Sequence, residues 1–184
     1  MRIIGGKFKG RVLKRPGTAA IRPTSDRLRE TVFNILAHAY GRPFAGARII
    51  DLYAGTGAMG VEALSRGGAF ALFIDSGARA CAIVRANAEA LGLGGAFRIL
   101  KRDARKLGKA GEDERFDLAF LDPPYGRDFV WPTLVALRDG GWLYEGALVV
   151  IEESARASIA LPEGFSLHEK RKSGDTQILF AGFE

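Results

Sequence analysis

Residues 48–60 read RIIDLYAGTGAMG, an apolar run that ends in a carboxylate and passes through closely spaced glycines. RIIDLYA has the composition of a buried strand, and GTGAMG leads from it into VEALSRGG, which is helix-forming. The same alternation continues downstream. AFALFID precedes GARACAIVRANAEALGL, and FRILKRDA precedes a short polar helix. FDLAFLD comes before FVWPTLVALRDG, and ALVVIEE closes the series. Strands that are apolar throughout, separated by helices, predict a mostly parallel sheet covered on both faces. The final SLHEKRKSGDTQILFAGFE predicts a hairpin turning at Ser173-Gly174-Asp175, which would add one antiparallel strand.

Gly55, Gly57 and Gly60 form a literal G-x-G-x-x-G between a strand and a helix. That pattern alone suggests a dinucleotide loop. Asp51 argues against it, because a carboxylate beside the loop repels a pyrophosphate, which needs N–H donors and no nearby anion. A ligand with a cationic amino group and a sulfonium suits the position better, namely S-adenosylmethionine. Ala54, Gly55 and Gly57 would then approach its amino-acid part closely. Asp75, at the end of LFID, can accept both ribose hydroxyls. Asp103, in RDA, can meet the adenine amine, with Ala104 lining the ring. Each of these acids alone could be a helix cap or a solvated turn. Together they lie at carboxyl ends of strands, the edge where open α/β sheets bind ligands.

Residues 120–126, FLDPPYG, end the fourth alternating strand. Consecutive prolines cannot extend a sheet, so packing alone does not account for them. An amine conjugated to an aromatic ring is a poor nucleophile because its lone pair is delocalised. Two acceptors gripping its hydrogens, the Asp122 carboxylate and the Pro123 carbonyl, would direct the nitrogen at a methyl group. Pro123 and Pro124 would hold the loop rigid. Tyr125 offers a face for an extruded base. Phe129 and Trp131 follow, and are expected to pack the next helix, with base stacking as the alternative.

The net charge of +6 is unevenly spread, at +9 through Arg48 and −3 beyond it. Lys7, Lys9 and Arg11 alternate with apolar residues in RIIGGKFKGRVLK, which predicts a basic hairpin with a polyanionic partner such as nucleic acid. Lys170, Arg171 and Lys172 could extend that surface or form a solvated hairpin face. Cys81 is the single cysteine, set in a helical pattern, so no internal disulfide forms and a reducing cytoplasm is expected. His38 and His168 are far apart, and no metal site is expected. Neither a secretory h-region nor a long apolar span is present in the sequence.

DLYAGTG together with DPPY resembles the class I S-adenosylmethionine-dependent N-methyltransferases that modify exocyclic amines. IIGGKFKGRVL, RPTSDRLRETVFNIL and KSGDTQILF narrow this to a resemblance to the bacterial 16S rRNA (guanine(966)-N(2))-methyltransferase family. The resemblance implies a Rossmann-like, seven-stranded, mostly parallel sheet with one antiparallel strand, helices on both faces and a small N-terminal β-hairpin extension. It divides the chain into an extension over 1–23 and a methyltransferase domain over 24–184. It also implies methyl transfer to guanine N2 of 16S rRNA in an assembled or partly assembled small subunit, in the cytoplasm. Arg22, Pro23 and Thr24 match the family segment near cofactor and target, so Arg22 and Thr24 join Lys7, Lys9 and Arg11 as expected RNA contacts. Asp75 departs from the glutamate more usual at the ribose position. A DNA amino-methyltransferase is disfavoured because only 59 residues follow Tyr125, leaving little room for a segment that reads base edges. A non-catalytic assembly factor would have no need of intact Asp51, glycine loop and Asp122. A small-molecule methyltransferase has no use for the basic hairpin.

Overall fold

The computed structural model describes residues 1–15 and 26–184. Arg22 and Thr24, expected to touch RNA, lie outside the described residues. Helix α1 spans Asp26–Ala39, and β1 spans Arg48–Leu52. There follow α2 (Ala58–Ser65), β2 (Phe70–Asp75), α3 (Ala78–Ala90) and β3 (Phe97–Lys101). A 3₁₀ turn at Ala104–Lys106 leads to β4 (Phe116–Leu121), α4 (Val130–Gly140) and β5 (Leu143–Ser154). The hairpin strands are β6 (Phe165–Ser173) and β7 (Thr176–Phe183).

The seven strands form one sheet in the order β3-β2-β1-β4-β5-β7-β6. All neighbouring pairs from β3 to β5 are parallel, and β7 runs antiparallel to both β5 and β6. The fold is the doubly wound sheet that the alternation predicted. Strand order reverses between β1 and β4, where a crevice opens beyond the carboxyl ends of the strands. Asp51 pairs with Phe120 across that junction, so Asp51 and Asp122 belong to neighbouring strand ends.

Successive residues of a strand face opposite sides. Ile49 therefore joins the core under α1, α2 and α3, whereas Ile50 and Leu52 join the core under α4. Asp51 shares the Ile49 side and so faces α2. The last strand before the hairpin starts at Leu143, upstream of the expected Ala147, with its register against β4 shifting between Phe116 and Leu118.

The expected N-terminal hairpin runs antiparallel, but its ladder contracts to one bridge, Arg2 with Val12, around a 3₁₀ turn at Gly6–Phe8. The reason is packing. A Cβ on Gly6, at φ +76°, would sit 1.8 Å from the Ser65 carbonyl oxygen, so the arm presses directly onto the end of α2. Ile4 and Gly5 N–H donate to the Glu62 carboxylate of α2 at 2.9 and 2.8 Å. Ile3 and Leu13 are buried in the same core as α1, α2 and α3.

Candidate active site

Asp51 sits at the base of the crevice, 3% exposed. Its Oδ2 accepts the Gly60 N–H at 2.9 Å. Gly60 is required there, because a Cβ would lie 2.5 Å from the Phe73 ring and 3.1 Å from that same oxygen. Burial raises the Asp51 pKa to about 7, opposed by the Gly60 hydrogen bond and reinforced by the nearby Asp75 charge. A buried carboxylate poised between its two states gains from a cation placed beside it.

Asp75, at the end of β2, accepts the Gly55 N–H at 2.9 Å through one oxygen and the Gly77 N–H at 2.8 Å through the other. Each oxygen has further lone pairs, so these bonds orient the carboxylate without exhausting it. Gly55 and Gly57 take positive φ, which lets the loop turn tightly between β1 and α2. Asp51, Ala54, Gly55, Asp75, Asp122 and Tyr125 all line one cavity of about 600 Å³, with Pro123 and Pro124 on its wall. Gly57 shapes the loop from behind, its backbone next to Phe73 and Val84.

The DPPY loop is anchored across the sheet. The Tyr125 hydroxyl donates to Glu152 on β5 at 2.7 Å and meets the Thr176 hydroxyl on β7 at 3.0 Å. Burial, then the Glu152 contact, holds this phenol above its ordinary pKa, so it stays protonated at neutral pH. Gly126 N–H donates to the buried Glu153 at 3.2 Å. Gln177 amide N–H groups reach the carbonyls of Ser154 and Ala157, each at 2.7 Å, tying β7 to the end of β5. The closing hairpin thus steadies the loop.

Asp103 is arranged differently. It caps the 3₁₀ turn by accepting the Arg105 N–H at 2.9 Å, and its carboxylate receives the Arg105 guanidinium at 2.9 and 2.6 Å. That guanidinium holds its pKa below the ordinary carboxylate value. Asp103 and Ala104 line a smaller hollow of about 90 Å³, which shares Tyr53, Asp75, Ser76 and Pro124 with the main cavity.

Tyr53 and Glu152 are among the residues of the site that were not assigned from the sequence. Tyr53 lies inside the glycine stretch and lines both hollows. Its φ of +60° is unusual for a bulky residue, and its hydroxyl lies 2.6 Å from Thr133 of α4. Neither feature has a local sequence signal. Glu152 had one, since it follows the apolar run of β5 as Asp51, Asp75 and Asp122 follow theirs.

On the arm, Lys7, Lys9 and Arg11 are exposed. The arm also reaches the glycine loop between β1 and α2. Asn87 of α3, 2% exposed, donates to the Thr56 carbonyl at 3.0 Å and accepts the Lys14 N–H at 2.7 Å. Arg29, counted among the N-terminal cations, is fully buried between Asp26 (3.1 Å) and Glu62 (3.4 Å). It locks the arm and adds nothing to an exposed basic surface. Among the described residues, no cluster of His, Cys, Asp or Glu could hold a metal ion, and no helix is long and apolar enough to cross a membrane.

A family model described as conserved hypothetical protein 95 matches residues 1–182. The chain is 35% identical over 175 residues to ribosomal RNA small subunit methyltransferase D of Escherichia coli strain K12, covering 95% of this chain and 85% of the relative. It is 27% identical over 176 residues to the protein of the same name from Haemophilus influenzae, covering 95% and 89%. A solved Escherichia coli structure, provisionally described as a methyltransferase, matches with a TM-score of 0.84 at 32% identity. It covers 100% of this chain and 98% of that one.

Proposed function

The chain belongs to the family of these ribosomal RNA small subunit methyltransferases, and on that premise we propose that it methylates the exocyclic N2 of a guanine in 16S rRNA, using S-adenosylmethionine. The observation that carries the reading is the convergence of Asp51, Asp75 and the DPPY loop on one cavity at the switch point of the sheet. The residues present fit the donor. Asp51 is a buried carboxylate whose raised pKa would fall again beside the ligand's ammonium group. Asp75 is held by the backbone where it can take the ribose hydroxyls, and Asp103 with Ala104 lines the adjoining hollow for the adenine.

When bound, S-adenosylmethionine supplies a sulfonium methyl group. The chain's own residues orient the nucleophile. Asp122 and the Pro123 carbonyl accept the two amine hydrogens and turn the nitrogen lone pair toward the cofactor side of the cavity. Tyr125, its hydroxyl fixed by Glu152 and Thr176, presents its ring to the extruded base. The nitrogen would take the methyl group as the bond between that methyl and the sulfonium sulfur breaks, its electron pair staying on sulfur in a neutral thioether product, and the amine proton would pass to Asp122 or to water. Positioning supplies most of the acceleration, as expected where no covalent intermediate is needed. Residues 1–23 serve as the RNA-facing extension and residues 24–184 carry the transfer chemistry, with Lys7, Lys9, Arg11, Arg22 and Thr24 as the RNA contacts. The partner is the 16S rRNA of an assembled or partly assembled small subunit, in the cytoplasm.

The test supplies methyl-labelled S-adenosylmethionine and small subunits from cells lacking their native enzyme. Label in 16S rRNA is the expected result. Label on DNA alone, or none on any subunit, overturns the proposal.

A further inference from the structure

The segment Lys101–Lys109, KRDARKLGK, holds five cations and one acid in a portion of the chain that is otherwise acidic. The 3₁₀ turn within it faces the first turns of α4 across a surface groove of about 570 Å³. Arg105, Lys106 and Lys109 line one wall, and Trp131, Pro132 and Val135 line the other. Trp131 does not pack the helix onto the sheet, as its position after the DPPY loop led one to expect. It is 48% exposed, whereas Phe129 takes the packing role, stacked 6.4 Å from Tyr53.

We infer that this groove holds single-stranded RNA flanking the target nucleotide, with an unpaired base stacked on Trp131 and phosphates on Lys106 and Lys109; the inference rests on the function proposed above. Charge favours this occupant. The Asp139 carboxylate on the rim is engaged by Arg138 at 2.8 Å, Lys109 donates to the Asp139 carbonyl at 2.7 Å, and the Asp103 carboxylate is engaged by Arg105, so neither lysine forms an ion pair among the described residues. An exposed aromatic beside exposed lysines is the composition of a single-strand platform, whereas protein interfaces are depleted in lysine. Position favours it too. The Arg105 guanidinium lies 4.0 Å over the Phe129 ring, which stacks on Tyr53, and Tyr53 lines the main cavity. The groove therefore continues from the proposed target pocket, on the sheet face opposite the N-terminal arm.

The two tryptophans make the idea directly readable. Trp142 is 2% exposed, stacked with Phe116 and donating to the Gly108 carbonyl at 2.9 Å. It serves as an internal reference that RNA cannot reach. Titrating the full chain with a short unstructured RNA at low salt should quench Trp131 emission and leave the Trp142 component unchanged. Trp131→Leu should abolish the quench and weaken binding roughly tenfold. Lys106→Gln with Lys109→Gln should lower the slope of log affinity against log salt by about 1.4. Absence of quenching, equal quenching by duplex RNA, or unchanged affinity in Trp131→Leu each overturns the inference. Trp131-dependent binding of assembled subunits without any response to RNA also overturns it, in favour of a ribosomal protein. Fluorescence requires neither cofactor nor transfer, so failure here is distinguishable from failure of the methyl-transfer reading.

Discussion

The inner and outer parts of the site differ in what holds their carboxylates. Around β1 and β2, Asp51 and Asp75 are fixed by backbone N–H groups, that of Gly60 in the first turn of α2 and those of Gly55 and Gly77 in the strand-to-helix loops. Beyond β3, Asp103 accepts one backbone N–H, that of Arg105, and is held further by the side chain of the same residue, an exposed guanidinium on a short turn. Backbone donors cannot swing away, so the inner carboxylates are preorganised for a ligand. A guanidinium can leave, so in the proposed complex Asp103 trades one partner for another. The ammonium and ribose ends of the donor would thus be gripped by a fixed frame, and the adenine end by an adjustable one.

The largest expected effect lies in the inner part. Asp122→Ala should lower transfer at least about a thousandfold, while calorimetry shows S-adenosylmethionine binding within about twofold of the parent. Equal loss of both would mean that Asp122 holds the cofactor and that the amine is gripped elsewhere.

Asp51→Asn tests the frame itself. Asn keeps an acceptor for the Gly60 N–H but cannot pair with a cation, so S-adenosylmethionine affinity should fall about a hundredfold at pH 8. Stability should move the other way. The folded pKa of about 7 exceeds the ordinary carboxylate value of 3.8. The wild type is therefore penalised progressively as pH rises through that window, and not at all below it. Thermal and urea unfolding should show Asp51→Asn gaining up to roughly 4 kcal/mol at pH 8, with the gain vanishing near pH 4. A variant destabilised equally at both pH values would show that burial of the charge is not what governs Asp51.

The smallest effect separates the two parts. Asp103→Ala should weaken cofactor binding about tenfold and Arg105→Ala less than about threefold, since in the proposed complex the carboxylate is the ligand group and the guanidinium only its resting partner. Equal losses in calorimetry would assign Asp103 to holding the turn and remove it from the site.

The same contrast explains what the sequence disclosed. The placement of Asp51, Asp75 and Asp122 at the sheet's edge was legible because each follows an apolar run, and that of Asp103 because RDA closes the third strand-like segment; the alternation of strands and helices places all such endings on one edge. Glu152 obeys the same rule after VVIE's apolar residues and was readable in principle. Tyr53 was not, because its positive φ and its contact with Thr133 arise from packing across a sequence separation of 80 residues. The Asp103–Arg105 pair is local, yet nothing in RDARK tells whether a carboxylate faces a ligand or its own neighbour. In the arm, alternating basic and apolar residues indicated the antiparallel path. They did not indicate that Ile4 and Gly5 would spend their N–H groups on Glu62, nor that Arg29 would be buried behind them.

The central claim is that this cavity methylates an exocyclic guanine amine in small-subunit rRNA. The most direct measurement is mass spectrometry of nucleosides from deficient small subunits treated with the wild-type chain or with Asp122→Ala. The account predicts N2-methylguanosine with the wild type and none with the variant; N6-methyladenosine, or the same product from both proteins, would contradict it.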